Sequence, residues 1–122
     1  MNELIKAIRD LLRANVTEQA FYDTNTSKTV VYPYMTYTSD LEWYGHNTDE
    51  GTMDIDIFDD VQSYDRIITL EEKVKQHFRL TSIEYDNFIL RIDFVRSATV
   101  PISDPTIRRR TVQMHIKVDW RN

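Results

Sequence analysis

Two stretches of this chain alternate strictly between apolar and polar residues, and this alternation limits the fold more than any other feature. The first is "TMDIDIF", residues 52–58, in which Met53, Ile55 and Ile57 share one face. The second runs from Ile107 to Trp120 with the same period. A period of two is typical of a strand that buries one face. Both stretches therefore predict strands of a half-buried sheet.

Two other stretches carry apolar residues at three- and four-residue spacing and predict amphipathic helices. The first spans about three turns around Leu4 to Leu12, and the second follows Ser63 and continues to Phe78. Glu71 falls on the apolar face of the second helix and is its one polar interruption.

The remaining segments predict shorter elements. Pro33 lacks an amide hydrogen and favours the start of a strand over Tyr34–Thr38, which we expect to pair antiparallel with 52–58. Residues 40–51, "DLEWYGHNTDEG", predict a polar loop, and a hairpin is expected with arms at Ile83–Tyr85 and Phe88–Val95. This order predicts one α+β domain over residues 1–122: a mostly antiparallel sheet with two main helices packed on one face.

Charge is segregated along the chain, whose formal net charge is −5. The span between Lys28 and Arg66 contains acidic residues but no Lys or Arg, whereas the region from Arg91 onward is basic. The acidic balance argues against nucleic-acid binding through bulk charge. No apolar run approaches the roughly 18–20 residues of a membrane span, so we expect no membrane partner.

Catalytic and metal-binding patterns are weak, and we predict no catalytic, cofactor-binding or metal-binding residues. The chain has no cysteine and two glycines, which excludes thiolate sites and a glycine-rich phosphate loop. His46, His77 and His115 do not have the spacing of a zinc motif. Asp54 and Asp56 share a strand face and leave one alternative open, a metal-dependent phosphoryl-transfer enzyme.

Two further clusters indicate protein contacts. In the run Arg108–Arg110, the first and third arginines share one strand face and Arg109 takes the other, so the run is not one patch. Aromatic residues surround the acidic segment, and because they are not interleaved with Lys or Arg they favour core and protein-interface roles over base stacking: Tyr32, Tyr34, Tyr37, Trp43 and Tyr44.

Three segments of the middle of the chain resemble the tail-terminator (tail-completion, or neck) proteins of long-tailed bacteriophages. They are "VYPYMTYTSDLEW", "MDIDIFDD" and "SYDRIITLEEKVKQHF", and the resemblance covers residues 29–78. It implies a small α+β virion protein that forms a ring, usually of six, and has no catalytic activity. It also implies that the ring caps the tail tube and provides the surface for head docking.

The implied partners are other copies of the chain, a tail-tube protein, a head-closure or connector protein, and DNA that passes through the ring without sequence recognition. The implied location is the virion neck, with the host cytoplasm before assembly. In such a ring, we expect the acidic side chains Asp54, Asp56 and Asp59 to face Arg108 and Arg110 of the next subunit. A generic protein-binding adaptor is the remaining alternative.

Overall fold

A computed structural model describes residues 2–45, 47–79 and 81–121 of the chain. These residues form two helices and six strands. In chain order they are α1 (Asn2–Asn15), β1 (Ala20–Tyr22), β2 (Tyr34–Gly45), β3 (Thr48–Asp59), α2 (Asp65–Phe78), β4 (Thr81–Glu84), β5 (Phe88–Thr99) and β6 (Arg108–Trp120).

The strands form a mixed sheet in the order β1-β2-β3-β6-β5-β4. The α+β class is as predicted, but the mostly antiparallel sheet is corrected to a mixed one because β1 pairs parallel with β2. The segment 23–33 returns the chain to the end of the sheet where β1 began, so β2 runs in the same direction as β1. The remaining neighbours pair antiparallel, including the predicted pairing of Tyr34–Thr38 with 52–58, in which Tyr34 lies opposite Phe58.

The predicted loop at 40–51 is instead the closed end of a long hairpin between β2 and β3. Gly45 and Asn47 have φ angles of 97° and 62°, a left-handed conformation that allows the tight turn. Further along β3, a Cβ atom on Gly51 would lie 1.9 Å from the backbone oxygen of Asp40. Glycine at this position therefore permits a close approach of the two strands.

The buried apolar residues form one core cluster, to which both helices and the central strands contribute. In β3 and β6 the buried residues are alternate ones, as the sequence pattern predicted. Tyr37 of β2 is fully buried, and its hydroxyl donates a hydrogen bond of 2.8 Å to the carbonyl oxygen of Ile5. Burial raises the pKa of Tyr37 to about 12, so the hydroxyl keeps its proton and joins the sheet to α1.

Candidate functional site

One face of the sheet carries mostly polar residues, and we call it the open face. The alternate residues of β2, β3 and β6 that point away from the buried cluster lie on it. A bulge at Val95 shifts the register of β5, so that Arg96 and Ala98 also reach this face. Of the charged residues that the sequence singled out, Asp54, Asp56 and Arg109 lie on the open face.

Strand order divides the open face into an acidic and a basic half. The acidic half belongs to β2 and β3 and the basic half to β6 and β5, since each row of the sheet crosses these strands in turn. One row joins Glu42, Glu50, Lys117 and Arg91. The charge segregation seen along the sequence is thus a segregation across one surface.

Where the two halves meet, opposite charges pair within the subunit. Asp56 of β3 accepts hydrogen bonds from Arg109 (Nε, 3.2 Å) and from the hydroxyl of Thr111, both on β6. The Arg109 guanidinium lies 3.1 Å from the carboxylate through its second nitrogen. Asp56 therefore already has partners, which leaves it poorly placed to coordinate a metal ion or a second subunit.

Asp54 lies two residues before Asp56, on the acidic half. Burial raises its pKa, and the neighbouring charges of Asp56 and Asp40 raise it further, while Gln113 and Arg96 act in the opposite direction. A carboxylate beside like charges suits either a cation or a basic surface of another molecule. Asp54 remains an interface candidate.

Asp59 is completely buried within the subunit. Its carboxylate accepts a 2.9 Å hydrogen bond from Nε of Arg66, the second residue of α2, and a 2.8 Å bond from the Asp60 amide. The ion pair fixes the turn between β3 and α2. The side chain of Asp59 offers no surface to a neighbouring subunit, so the predicted interface role of Asp59 has no geometric support.

Arg110 points away from the open face and pairs with Glu71, the polar interruption on α2, which is 3% exposed. The Nε atom of Arg110 donates a 2.8 Å hydrogen bond to Glu71, and Ser97 and Thr99 accept from the same guanidinium. Burial alone would raise the pKa of Glu71, but the hydrogen bond and charge of Arg110, with Lys75, lower it overall. This pair is part of the fold.

Arg108 is half-buried, like the other two members of the arginine run. Its guanidinium donates 2.5 Å and 2.9 Å hydrogen bonds to the side chain of Gln62 and to the carbonyl oxygen of Pro105. No carboxylate within the described ranges forms an ion pair with it. As predicted, Arg108 and Arg110 share one strand face while Arg109 lies on the other.

The aromatic residues divide between surface and core. Tyr32 packs against Tyr34 with ring centroids 5.4 Å apart, Tyr34 stacks on Phe58 at 4.9 Å, and the guanidinium of Arg109 lies 5.3 Å from the Phe58 centroid. Tyr37 is in the core, whereas Trp43 is 75% exposed near the hairpin turn. The side chains of Tyr44 and His46 lie outside the part of the chain that is described.

A groove of about 290 Å³ lies where β4, β5 and β6 meet, lined in part by Ser82, Arg91 and His115. His115 Nε2 lies 2.7 Å from Glu50, but no hydroxyl group of the described residues forms a hydrogen bond with this imidazole. His77 is on the exposed last turn of α2. Residues 2–45, 47–79 and 81–121 contain no group of three acidic or histidine side chains that could hold a metal ion.

Sequence reasoning identified the charged residues but missed most of their partners. Arg66, Thr111 and Gln62 carry no distinguishing pattern in the sequence. The sequence predicts that Asp56 and Arg110 pair with charges on a neighbouring subunit. In the structure both residues form their ion pairs inside one subunit. No local sequence signal indicates this pairing, because it depends on the strand order, which places the acidic β3 beside the basic β6.

Comparisons with known proteins show a relationship at the level of the fold. No family model matches the chain, and no curated protein matches it. Its structure is similar to a chain of a solved structure described as "Virion of native gene transfer agent (GTA) particle", with a TM-score of 0.72 and 14% sequence identity. The match covers 88% of this chain and 84% of the other, so the two share a fold. In the described part of the chain, the helices are too short or too polar to cross a membrane.

Proposed function

We propose that this protein is a structural component of a phage-like virion, and that it closes the tail tube as a ring at the junction between tail and head. The observation that carries the proposal is the shared fold with a chain of the gene transfer agent virion, which extends over most of both chains. The resemblance of residues 29–78 to tail-terminator proteins supports the finer role. A ring of six copies follows from that resemblance.

The surface chemistry supports assembly in place of catalysis. Asp56 is bound by Arg109, and no hydroxyl of the described residues forms a hydrogen bond with His115, so neither residue is poised as a base for a nucleophile. An open face with one acidic and one basic half suits contacts between different patches of neighbouring subunits. We propose that the protein is not an enzyme.

The partners follow from this role: other copies of the chain, a tail-tube protein, a head-closure protein, and DNA passing through the ring. Of the predicted interface residues, Asp54 and Arg108 retain accessible, incompletely paired side chains. Asp54 and Arg108 therefore remain candidates for contacts with other virion proteins, whereas Asp59 and Arg110 are engaged within the subunit. The protein would reside in the neck of the virion after assembly in the host cytoplasm.

The test mixes the purified protein with polymerising tail-tube protein from the same genome and follows tube length by negative-stain electron microscopy. We expect uniform rings at tube ends and tubes that stop growing. Tubes that lengthen unchanged, with bare ends, would overturn the capping role. A protein that binds elsewhere along the tube would instead indicate an adaptor.

The enzyme alternative has its own experiment. Addition of Mn²⁺ to the protein with single- and double-stranded DNA is expected to leave the DNA intact and the unfolding temperature unchanged. Metal-dependent cleavage that is lost in the Asp54→Asn variant would favour the phosphoryl-transfer function.

A further inference from the structure

The sheet has two outer strands that are each covered along only part of their length. β1 pairs with β2 only at Met35–Tyr37, and β4 pairs with β5 only between Thr81–Glu84 and Ile89–Ile92. The outward backbone groups of β2 from 38 to 45 and of β5 from 93 to 99 have no partner strand among the described residues. We call these segments the β2 edge and the β5 edge. Unpaired strand edges are templates for an added strand.

The two edges carry complementary side chains. On the open face, the β2 edge presents Asp40 and Glu42 and the β5 edge presents Arg96. Within the described residues, none of these three takes part in an ion pair. Each edge also exposes an apolar side chain, Trp43 at 75% on β2 and Val95 at 49% on β5. Opposite charges and exposed apolar groups favour contact between the edges.

Strand direction permits the two edges to meet in a ring. From β2 through β3 and β6 to β5 each neighbour is antiparallel, so β5 runs opposite to β2. A second copy in the same orientation, placed beside the first, therefore presents its β5 antiparallel to β2. Contact between two different patches is what a cyclic ring requires.

We propose that the β5 edge of one copy pairs with the β2 edge of the next, which joins the sheets of neighbouring subunits. This inference rests on the proposed ring and specifies how it is held together. The register places Glu42 opposite Arg96, Asp40 opposite Ala98, and Trp43 next to Val95. In this register, β4 of one copy lies beyond the end of β2 of the next copy. The paired segment of β5 is followed by Pro101, which cannot donate a hydrogen bond to the ladder.

A paired-cysteine experiment tests the register, because the chain contains no cysteine of its own. The variant Asp40→Cys with Ala98→Cys is oxidised at assembly concentration. Opposite residues of an antiparallel pair have Cβ atoms about 4.5–5.5 Å apart, close to disulfide geometry. Inside one subunit the two strands are separated by β3 and β6, a lateral distance of about 14 Å at the usual strand spacing, and the two residues also lie in different rows of the sheet. A disulfide is therefore possible only between copies.

We expect a ladder of covalent multimers that ends at the size of the closed ring. The matched control is Asp40→Cys with Asp93→Cys, which keeps the same strands and face but moves one cysteine five residues along β5. If the control links as efficiently as the test pair, or if neither forms a ladder, the proposed register is overturned.

A charge exchange tests the same contact without oxidation. Glu42→Arg is expected to weaken assembly about tenfold or more, measured by analytical ultracentrifugation, because two arginines would then face each other. Arg96→Glu in the same chain should restore it. Glu72→Arg, on the exposed side of α2, is the control and should assemble normally. Failure of the second substitution to rescue assembly would overturn the pairing.

The wild-type tube-capping assay separates this inference from the proposed function. Rings that cap tubes while the cysteine pair stays unlinked would refute the edge pairing and leave the capping role standing. A covalent ladder from a protein that does not cap tubes would support the edge pairing and refute the capping role.

Discussion

The ion pair between Arg110 and Glu71 allows a quantitative test of whether Arg110 stabilises the folded subunit. In Arg110→Met the buried carboxylate of Glu71 keeps only Lys75, whose Nζ lies 3.4 Å away. Removing one partner of a buried ion pair costs about 3–5 kcal/mol of unfolding free energy. For a chain of this length, that corresponds to a fall of roughly 10–20 °C in the unfolding temperature.

The comparison with two further variants isolates the pair. Arg108→Met, which loses hydrogen bonds to Gln62 and to a backbone carbonyl, is expected to cost about 1 kcal/mol or less. The double variant Glu71→Met with Arg110→Met should recover most of the lost stability, because replacing both buried charges with apolar groups is often nearly neutral. Guanidinium unfolding curves at pH 7 give these free energies.

The pH dependence supplies an independent measurement. The pKa of Glu71 is lowered in the folded protein from its ordinary value of 4.5. Its contribution is therefore fully present above that value and is lost as the pH falls through the folded-state pKa. The stability difference between wild type and Arg110→Met should shrink in acid. An Arg110→Met variant no less stable than Arg108→Met at pH 7, or a stability difference from wild type that does not shrink in acid, would refute the reasoning.

Three further predictions concern single positions on the sheet. Gly51→Ala should cost about 2–4 kcal/mol in denaturant unfolding, since β2 must move away from β3 and lose hydrogen bonds worth about 1 kcal/mol each; Thr52→Ala is the control. Tyr37→Phe should cost about 1 kcal/mol by removing the hydrogen bond to α1, and an unchanged stability would contradict that bond. Asp54→Asn should raise the unfolding temperature at neutral pH, because a raised carboxyl pKa destabilises the fold as the pH rises from 3.8; thermal scans should show the gain disappear in acid.

The elements with a clear period were predictable from sequence, and those without one were not. β3 and β6 bury alternate residues, as their sequence period predicts. Glu71 was identifiable as the one polar residue on the apolar face of α2. The hairpin end at 40–51 has the composition of a loop because it holds both glycines and many polar residues, which outweigh the short alternation of Asp40–Trp43. The parallel β1 has three residues, too few for a pattern to indicate its direction.

The candidate site was predictable as a set of residues but not as a set of contacts. Asp56 and Arg109 are 53 positions apart in the chain, and they meet only because β6 inserts between β3 and β5. Strand order is decided by the packing of the whole sheet, which local propensity does not encode. Charge segregation therefore predicted that acidic and basic surfaces exist, while their pairing within one subunit required the fold.

The placement of β6 also sets the order of events during synthesis. β6 follows every other strand in the chain, yet it occupies the middle of the sheet. Until it emerges from the ribosome, the nascent chain can form the β2–β3 hairpin and the β4–β5 hairpin only as two separate units, each with an apolar face and a bare inner edge. Such intermediates attract other chains. Each copy therefore completes its sheet, and the surface through which it assembles, only after its last strand has been synthesised.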